Sequence, residues 1–177
     1  MIIGISGKKY SGKDTSADYI CMEFGFEKMA FADPLKQICK TLYCLDQDQF
    51  DDKEKIDERW GISVRSMLQK IGTDVFRNHL EKDIWIKNMH QRILKNPNKN
   101  IVISDVRFEN EKKWIEEQGG IIIYMHRPNR QHNDPHESES ISFMNPESDI
   151  IIVNDENIET LYKKINHFVK NLLNHNK

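Results

Sequence analysis

Short apolar runs alternate along this chain with stretches whose apolar residues recur at helical spacing. The runs have the length and composition of strands and lie at residues 1–6, 24–31, 100–104, 121–125 and 149–153. Helical spacing follows most of them, at residues 16–23, 110–118 and 158–173. A run that is apolar throughout, as at 100–104, is typical of a parallel strand buried on both faces. The alternation therefore predicts an α/β fold in three layers, with a five-stranded parallel sheet and helices on both faces.

The stretch between the second and third predicted strands breaks this alternation. Residues 35–94 have a mostly helical pattern, with an acidic interruption at residues 46–58. Long helical pieces inside a chain of alternating strands indicate an insertion over the sheet edge. We interpret residues 36–98 as a helical insert on a single-domain core made of residues 1–35 and 99–177.

Local signals predict where some helices begin and end. Asp33 followed by Pro34 fits an N-cap and a first helical turn. Asp33 also follows a predicted strand, and ligands bind at strand ends in open α/β sheets, so capping and ligand binding are equally supported there. Inside the insert, we expect Gly72 to end one helix and Thr73 or Asp74 to cap the next.

Length, composition and charge exclude several classes of protein. A chain of 177 residues suits one domain, and a net charge of −2 offers no basic surface for nucleic acid or membranes. No apolar run approaches the roughly 20 residues of a membrane helix, and residues 1–6 are too short for a signal peptide. Three cysteines without C-x-x-C spacing are typical of reduced thiols in a cytosolic protein. We therefore expect a cytoplasmic protein that binds neither nucleic acid nor membranes.

The motif G-x-x-x-x-G-K joins the first predicted strand to the first predicted helix. Gly7 and Gly12 permit backbone angles that a Cβ would obstruct, so the N–H groups of the loop can turn inward toward a phosphate. The following helix N-terminus adds its positive end, and Lys13 can reach the β- and γ-phosphates of a nucleotide. An ordinary glycine turn before a helix is the alternative, and it is disfavoured because motif and context agree.

Carboxylates at two places suggest a magnesium site beside this loop. The residue after the motif lysine is usually a Ser or Thr that binds magnesium, but here it is Asp14, with Thr15 one place later. Asp105 ends the apolar run at 100–104, where a carboxylate resembles a Walker B acid. Arg107 follows two residues later. A lone strand-end aspartate is weak support, and the phosphate loop strengthens it.

One helix face of the predicted insert carries groups that suit a phosphate and the edge of a base. Arg65 and Gln69 are four residues apart and therefore share a face. An arginine fork matches phosphate, and a glutamine amide matches the edge of a purine or pyrimidine. On position alone, an ordinary solvated helix face is the favoured alternative.

Residues 127–140 are polar, contain two prolines and are predicted to form a lid. Its arginines, Arg127 and Arg130, could close over a transferring phosphoryl group. Zinc ligation by nearby histidines is disfavoured because no second ligand cluster supports it. These histidines are His126, His132 and His136.

Together these motifs resemble those of the deoxynucleoside monophosphate kinases of tailed phages and large DNA viruses. The resemblance covers residues 1 to about 155 and rests on five pieces in the same order. They are Gly7 to Thr15 (GKKYSGKDT), residues 31–36 (FADPLK), Leu68-Gln69 with Gly72-Thr73-Asp74 and Arg77, residues 104–108 with Asn110-Glu111, and residues 136–139 (HESE). The SGKD form of the loop also occurs in animal phosphomevalonate kinase, whose fold is similar. The FADPLK and LQ-x-x-GTD pieces favour the nucleotide kinase.

The resemblance implies a P-loop fold and ATP-dependent phosphorylation of a deoxynucleoside 5′-monophosphate, with Mg²⁺. The residues that it places around ATP are Gly7, Lys8, Ser11, Gly12, Lys13, Asp14, Thr15, Asn154 and Asp155. The residues that it places around the acceptor are Asp33, Lys36, Arg65, Gln69, Asp74, Arg77 and Arg107. It assigns catalytic charge stabilisation to Lys13, Asp105, Arg107 and Arg127. Asp14 and Asp105 would hold Mg²⁺ through water.

Two other functions are carried as alternatives. The first is a kinase for a different small phosphate, phosphomevalonate above all. The second is a nucleotide-binding switch without small-molecule transfer, which the arginines of the insert and lid disfavour. A hydroxyl acceptor, as in dephospho-coenzyme A kinase, would need a base, for which Asp33 is the candidate. The resemblance further suggests a homodimer and, for a viral protein, the host cytoplasm.

Overall fold

The computed structural model describes residues 1–128 and 149–175. The chain divides into two compact units, of which unit 1 comprises Met1–Ala30 with Asn96–Lys177 and unit 2 comprises Phe31–Lys95. In chain order the elements are β1 (Ile2–Gly7), α1 (Lys13–Phe24), β2 (Glu27–Met29), α2 (Asp33–Leu42), α3 (Gln47–Asp51), β3 (Ile56–Asp57), β4 (Ile62–Ser63), α4 (Val64–Gln69), a π-helix (Lys70–Leu80), α5 (Ile84–Leu94), β5 (Ile101–Val106), α6 (Glu109–Glu117), β6 (Ile121–His126), β7 (Ile150–Val153) and α7 (Ile158–His175). No helix within those described ranges combines the length and apolar character that a membrane crossing requires.

Unit 1 is built on the predicted parallel sheet, whose strands run in the order β2-β5-β1-β6-β7. Side chains alternate between the faces of β1. Ile3 and Ile5 pack on one face with Ala17 of α1 and Leu161 of α7. On the other face Gly4 leaves room for α6, because a Cβ there would lie 2.8 Å from Ile115 Cδ1. Helices therefore cover both faces, which confirms the predicted fold class.

The second strand is shorter than its apolar pattern predicts. The pattern extends over residues 24–31, but α1 continues to Phe24 and β2 is confined to Glu27–Met29. The N–H of Gly25 donates to the carbonyl of Cys21 at 3.0 Å, which closes the helix and leaves less chain for the strand. The carboxyl ends of the five parallel strands nevertheless meet at one edge of the sheet, and this edge places the candidate site.

Unit 2 has its own small core, in which Leu45, Val64 and Met67 are buried. The acidic interruption predicted at residues 46–58 contains the short helix α3 and the strand β3, which pairs antiparallel with β4 just beyond it. Asp57 of β3 accepts hydrogen bonds from the backbone N–H and the side chain of Arg59, at 2.9 and 3.0 Å. Hydrogen bonds from Arg59 outweigh desolvation and hold the pKa of Asp57 below its usual value. The acidic stretch thus forms structure instead of a simple loop.

The prediction that Gly72 ends a helix is wrong, and so is the prediction that Thr73 or Asp74 caps the next one. The chain continues from α4 directly into the π-helix, and all three residues lie inside it. Gly72 is there for space, because a Cβ would overlap the Cδ2 atom of Leu35 on α2. The glycine signal therefore reports close helix packing and not a helix end.

We expect the indole of Trp85 to stabilise this packing measurably. Trp85 is buried, and its Nε1 donates to the carbonyl of Gly72 at 3.0 Å. Trp85→Phe keeps most of the apolar contact but leaves a buried carbonyl short of a donor, so it should lower the free energy of unfolding by about 1–2 kcal/mol. Urea unfolding followed by far-ultraviolet circular dichroism measures the change.

Trp60 supplies a matched control for that substitution. Its Nε1 also donates to a carbonyl at 3.0 Å, that of Tyr43, but the side chain is 47% exposed. Water can replace the lost donor, so Trp60→Phe should change the free energy of unfolding by less than about 0.5 kcal/mol. An equal decrease in the free energy of unfolding in the two variants would show that the buried hydrogen bond stabilises the fold no more than the exposed one.

Candidate functional site

The loop between β1 and α1 has the geometry of a phosphate cradle. Gly7 has φ = 147° and Gly12 has φ = 102°, both in the region that favours glycine. A Cβ at Gly7 would lie 2.5 Å from the carbonyl oxygen of Met125, and one at Gly12 would lie 2.7 Å from Nδ2 of Asn154. Neither position can accept a larger residue without moving the loop.

Lys13 lies inside this loop. Its Nζ donates to the carbonyl of Gly7 at 2.6 Å and to that of Lys8 at 2.8 Å, and the residue is only 8% exposed. An ammonium held here, at the N-terminus of the 12-residue helix α1, creates a strongly positive environment for an anion in the loop. The side chain of Lys8, by contrast, is exposed.

Asn154 fixes the other side of the loop. Its backbone N–H donates to the carbonyl of His126 at 2.7 Å, and its Nδ2 donates to the carbonyl of Ser11 at 3.0 Å. Ser11 Oγ is buried and has no hydrogen-bond partner in the ranges that the structure describes. Asp155, the neighbour of Asn154, pairs with Lys164 at 2.8 Å. The adenine contacts expected of Asn154 and Asp155 stay a prediction.

Asp14 stands at the centre of a polar cluster at the start of α1. Lys28 of β2 lies 3.0 Å from its carboxylate and 2.9 Å from that of Asp18, and Ser104 of β5 also hydrogen-bonds to Asp14. Desolvation raises the pKa of Asp14, but the hydrogen bonds and charge of Lys28, the bond from Ser104 and the charge of Lys13 outweigh it and lower the pKa. Lys28 and Ser104 were missed by sequence reasoning, because no local pattern links two strands to the start of a helix.

Asp105 and Arg107 lie at the end of β5, at the same edge of the sheet. The chain after β5 is held by the buried carboxylate of Glu111, which accepts from the N–H groups of Arg107 at 2.8 Å and Phe108 at 3.2 Å. This carboxylate at the first turn of α6 satisfies two N–H groups that would otherwise be orphaned. Arg107 therefore has a firmly held backbone. Thr15, another predicted site residue, lies half-buried in the first turn of α1.

Arg127 follows β6 and reaches toward the phosphate loop, where its Nη1 lies 3.5 Å from the carbonyl of Tyr10. Tyr10 has φ = 63° and is 53% exposed, with the ammonium of Lys9 4.8 Å from its ring centroid. Residues 129–140 of the predicted lid lie outside the described residues, and with them Arg130, His132 and His136.

In unit 2, Asp33 is the first residue of α2 and not its N-cap, which is Ala32. Its carboxylate pairs with Arg92 of α5 at 2.8 Å and with Lys36 at 3.6 Å. The capping prediction is wrong because the carboxylate is turned toward these cations. Arg92 was not anticipated as a site residue, since its partner lies 59 positions away.

The other acceptor candidates have different environments within unit 2. Arg65 of α4 is largely covered, and its Nε lies 3.7 Å from a carboxylate oxygen of Glu54. Gln69 ends the same helix. In the π-helix Asp74 is exposed, whereas Arg77 is 6% exposed and donates to the carbonyl of Lys82 at 3.2 Å. Arg77 is thus anchored from within its unit.

The described residues contain no group of three or more His, Cys, Asp or Glu side chains that could enclose a metal ion. Asp14, Ser104 and Asp105 present only oxygen donors. This donor set fits Mg²⁺, which keeps several waters and is bound by one or two carboxylates together with substrate phosphates. It does not fit a dedicated zinc site, which uses four nitrogen or sulfur ligands.

Comparison with known proteins links this chain to one family. The family model described as deoxynucleotide monophosphate kinase matches residues 1–56 and 47–165. A protein of Acanthamoeba polyphaga mimivirus assigned to the same kinase class is 38% identical over 190 residues, covering 97% of each chain. The deoxynucleotide monophosphate kinase of Enterobacteria phage T4 is 24% identical and covers 96% of this chain and 98% of its own.

Solved structures support the fold. Dephospho-CoA kinase from Campylobacter jejuni aligns with a TM-score of 0.55 and 15% identity, over 99% of this chain and 98% of its own. Shikimate kinase from Aquifex aeolicus aligns equally well, with a TM-score of 0.55, 15% identity and 98% coverage of both chains. At this identity the likeness shows a shared architecture of kinases and not a shared substrate.

Proposed function

The chain belongs to the deoxynucleotide monophosphate kinase family, and from this membership we propose that it transfers the γ-phosphoryl group of ATP to a deoxynucleoside 5′-monophosphate. The products are the diphosphate and ADP. ATP as donor and Mg²⁺ as cofactor are part of the proposal.

The observation that carries the proposal is the position of Lys13. Its ammonium is already held inside the loop by the carbonyls of Gly7 and Lys8, so little rearrangement is needed when phosphates arrive. Preorganised positive charge is the main contribution that a protein can make to phosphoryl transfer. Gly7, Gly12 and the backbone of Ser11 complete the cradle, with Thr15 in the first turn of the helix.

Mg²⁺ would be held at the carboxyl edge of the sheet by Asp14 and Asp105, through water. When bound, it would neutralise charge on the β- and γ-phosphates. The role of the protein is to present these carboxylates on rigid elements, α1 and β5.

The acceptor requires binding and alignment and no general base, because a phosphate monoester is already an anionic nucleophile. The residues that we assign to acceptor binding, from the family resemblance of their motifs, are Asp33, Lys36, Arg65, Gln69, Asp74, Arg77 and Arg107. Arg107 and Arg127 would neutralise charge as the phosphoryl group moves.

A panel of acceptors tests the proposal. Purified protein is incubated with ATP, Mg²⁺ and one acceptor at a time, and ADP formation is measured. The acceptors are the deoxynucleoside monophosphates, the ribonucleoside monophosphates, phosphomevalonate and dephospho-coenzyme A. We expect ADP formation that depends on at least one deoxynucleoside monophosphate. Turnover of phosphomevalonate alone would overturn the proposal, and so would ATP binding without any acceptor-stimulated turnover.

A further inference from the structure

Lys28 forms ion pairs with two carboxylates in the first turns of α1. The residue lies on β2, and its Nζ is 3.0 Å from Oδ1 of Asp14 and 2.9 Å from Oδ1 of Asp18. Its side chain is 32% exposed, less than either carboxylate partner. All three residues belong to unit 1. One ammonium therefore bridges two carboxylates that stand one helical turn apart.

The charges in this cluster constrain what a metal ion can do. Asp14 is the residue to which the proposed function assigns magnesium. Oxygen atoms already engaged by an ammonium are less available to a cation, since ammonium and metal attract the same lone pairs. Without Lys28, Asp14 and Asp18 would be two like charges on one helix face, an arrangement that attracts cations more strongly.

We propose that Lys28 is a positioning residue that competes with Mg²⁺ for Asp14. In the metal-free protein it holds the Asp14 carboxylate beside Ser104. When the metal binds, Lys28 gives up its contact with Asp14 and keeps the hydrogen bond that it already donates to Asp18, which retains the ammonium near the site. Asp18 thus serves as a second ion-pair partner for Lys28. The affinity for the metal depends on how strongly Lys28 binds to Asp14 compared with Asp18.

This inference rests on the proposed metal role of Asp14, but its first test does not need catalysis. Mn²⁺ substitutes for Mg²⁺, and free Mn²⁺ is counted by electron paramagnetic resonance in the presence of protein and ADP. Lys28→Met should lower the Kd for Mn²⁺ about three- to five-fold, the upper part of the range expected for releasing a partly exposed ion pair. Lys28→Gln, which keeps a polar head group, should act in the same direction. A Kd that is unchanged or higher in both variants would overturn the proposal.

Lys99 supplies the matched control. It pairs with Glu27 of the same unit at 2.6 Å, and Lys99→Met changes the net charge as Lys28→Met does. Its Kd for Mn²⁺ should stay within a factor of two of wild type if the effect is local. An equal decrease in both variants would mean that net charge alone is responsible, and it would contradict the role of Lys28.

A double-mutant cycle with Asp14 tests the route of the effect. In an Asp14→Asn background the competition no longer exists, so adding Lys28→Met should change the Kd for Mn²⁺ by less than about two-fold. An undiminished effect would show that Lys28 acts through some other group. In turnover assays Lys28→Met should lower the Mg²⁺ concentration for half-maximal rate and leave kcat within about two-fold, a split that a general loss of structure would not produce. Because Mn²⁺ binding is measured without turnover, the role of Lys28 can be judged even if no acceptor in the panel is phosphorylated.

Discussion

Lys13→Ala is expected to reduce kcat/KM for phosphoryl transfer by about 10³-fold while the protein remains folded. The ammonium is a buried positive group held inside the loop, between the carbonyls of Gly7 and Lys8. Alanine leaves the cradle of N–H groups in place but removes the charge that stabilises the transferring phosphate. The loss should therefore fall on kcat as well as on KM for ATP, because the interaction strengthens as charge develops.

The folded state should tolerate this substitution because the hydrogen bonds from the ammonium to Gly7 and Lys8 stay within one short loop. The lysine contributes two hydrogen bonds to loop carbonyls, and the carbonyl of Lys8 also accepts from the N–H of Ser11 at 3.1 Å. We expect a change of about 1 kcal/mol in the free energy of unfolding. Lys113→Ala, an exposed lysine of α6, is the control and should leave both activity and stability close to wild type. Near-normal turnover of Lys13→Ala would remove the loop from the mechanism.

The strands of unit 1 were predictable because burial leaves a local trace. A strand such as β5 is covered on both sides, so its residues must be apolar, and the run is visible without knowledge of its neighbours. The order of the strands leaves no such trace. β5 lies between β2 and β1, although long stretches of chain separate all three. Pairing depends on contacts between distant segments, and one sequence does not display them.

In the candidate site, too, features formed by neighbouring residues could be predicted and contacts between distant segments could not. The glycine loop between β1 and α1 could be predicted because Gly7, Gly12 and Lys13 lie close together in the sequence. The ion pair of Asp33 with Arg92 and the bridge from Lys28 to Asp14 were not found, since each joins separate elements. Gly72 shows a different failure: a glycine that serves close packing has the same letter as one that ends a helix.

Asp33→Asn is expected to raise KM for the deoxynucleoside monophosphate about 10- to 100-fold and to leave kcat within a few-fold of wild type. The structure holds the carboxylate at the first turn of α2 by Arg92 at 2.8 Å and Lys36 at 3.6 Å. A carboxylate held in this way can accept a hydrogen bond from the deoxynucleoside monophosphate. Asparagine keeps the shape of the side chain but removes its charge. Since a phosphate monoester needs no deprotonation, chemistry should continue once the site is saturated.

This split between KM and kcat separates two chemistries at one residue. If the acceptor were a hydroxyl, Asp33 would be the general base, and Asp33→Asn would lower kcat by about 10²- to 10⁴-fold. Arg92→Met should raise the acceptor KM as Asp33→Asn does, because it releases the same carboxylate. Lys87 lies on α5, as Arg92 does, and forms an exposed ion pair with Glu81. Lys87→Met should change neither parameter. If kcat fell strongly in Asp33→Asn but not in Arg92→Met, Asp33 would act as a general base and not as a residue that aligns the acceptor.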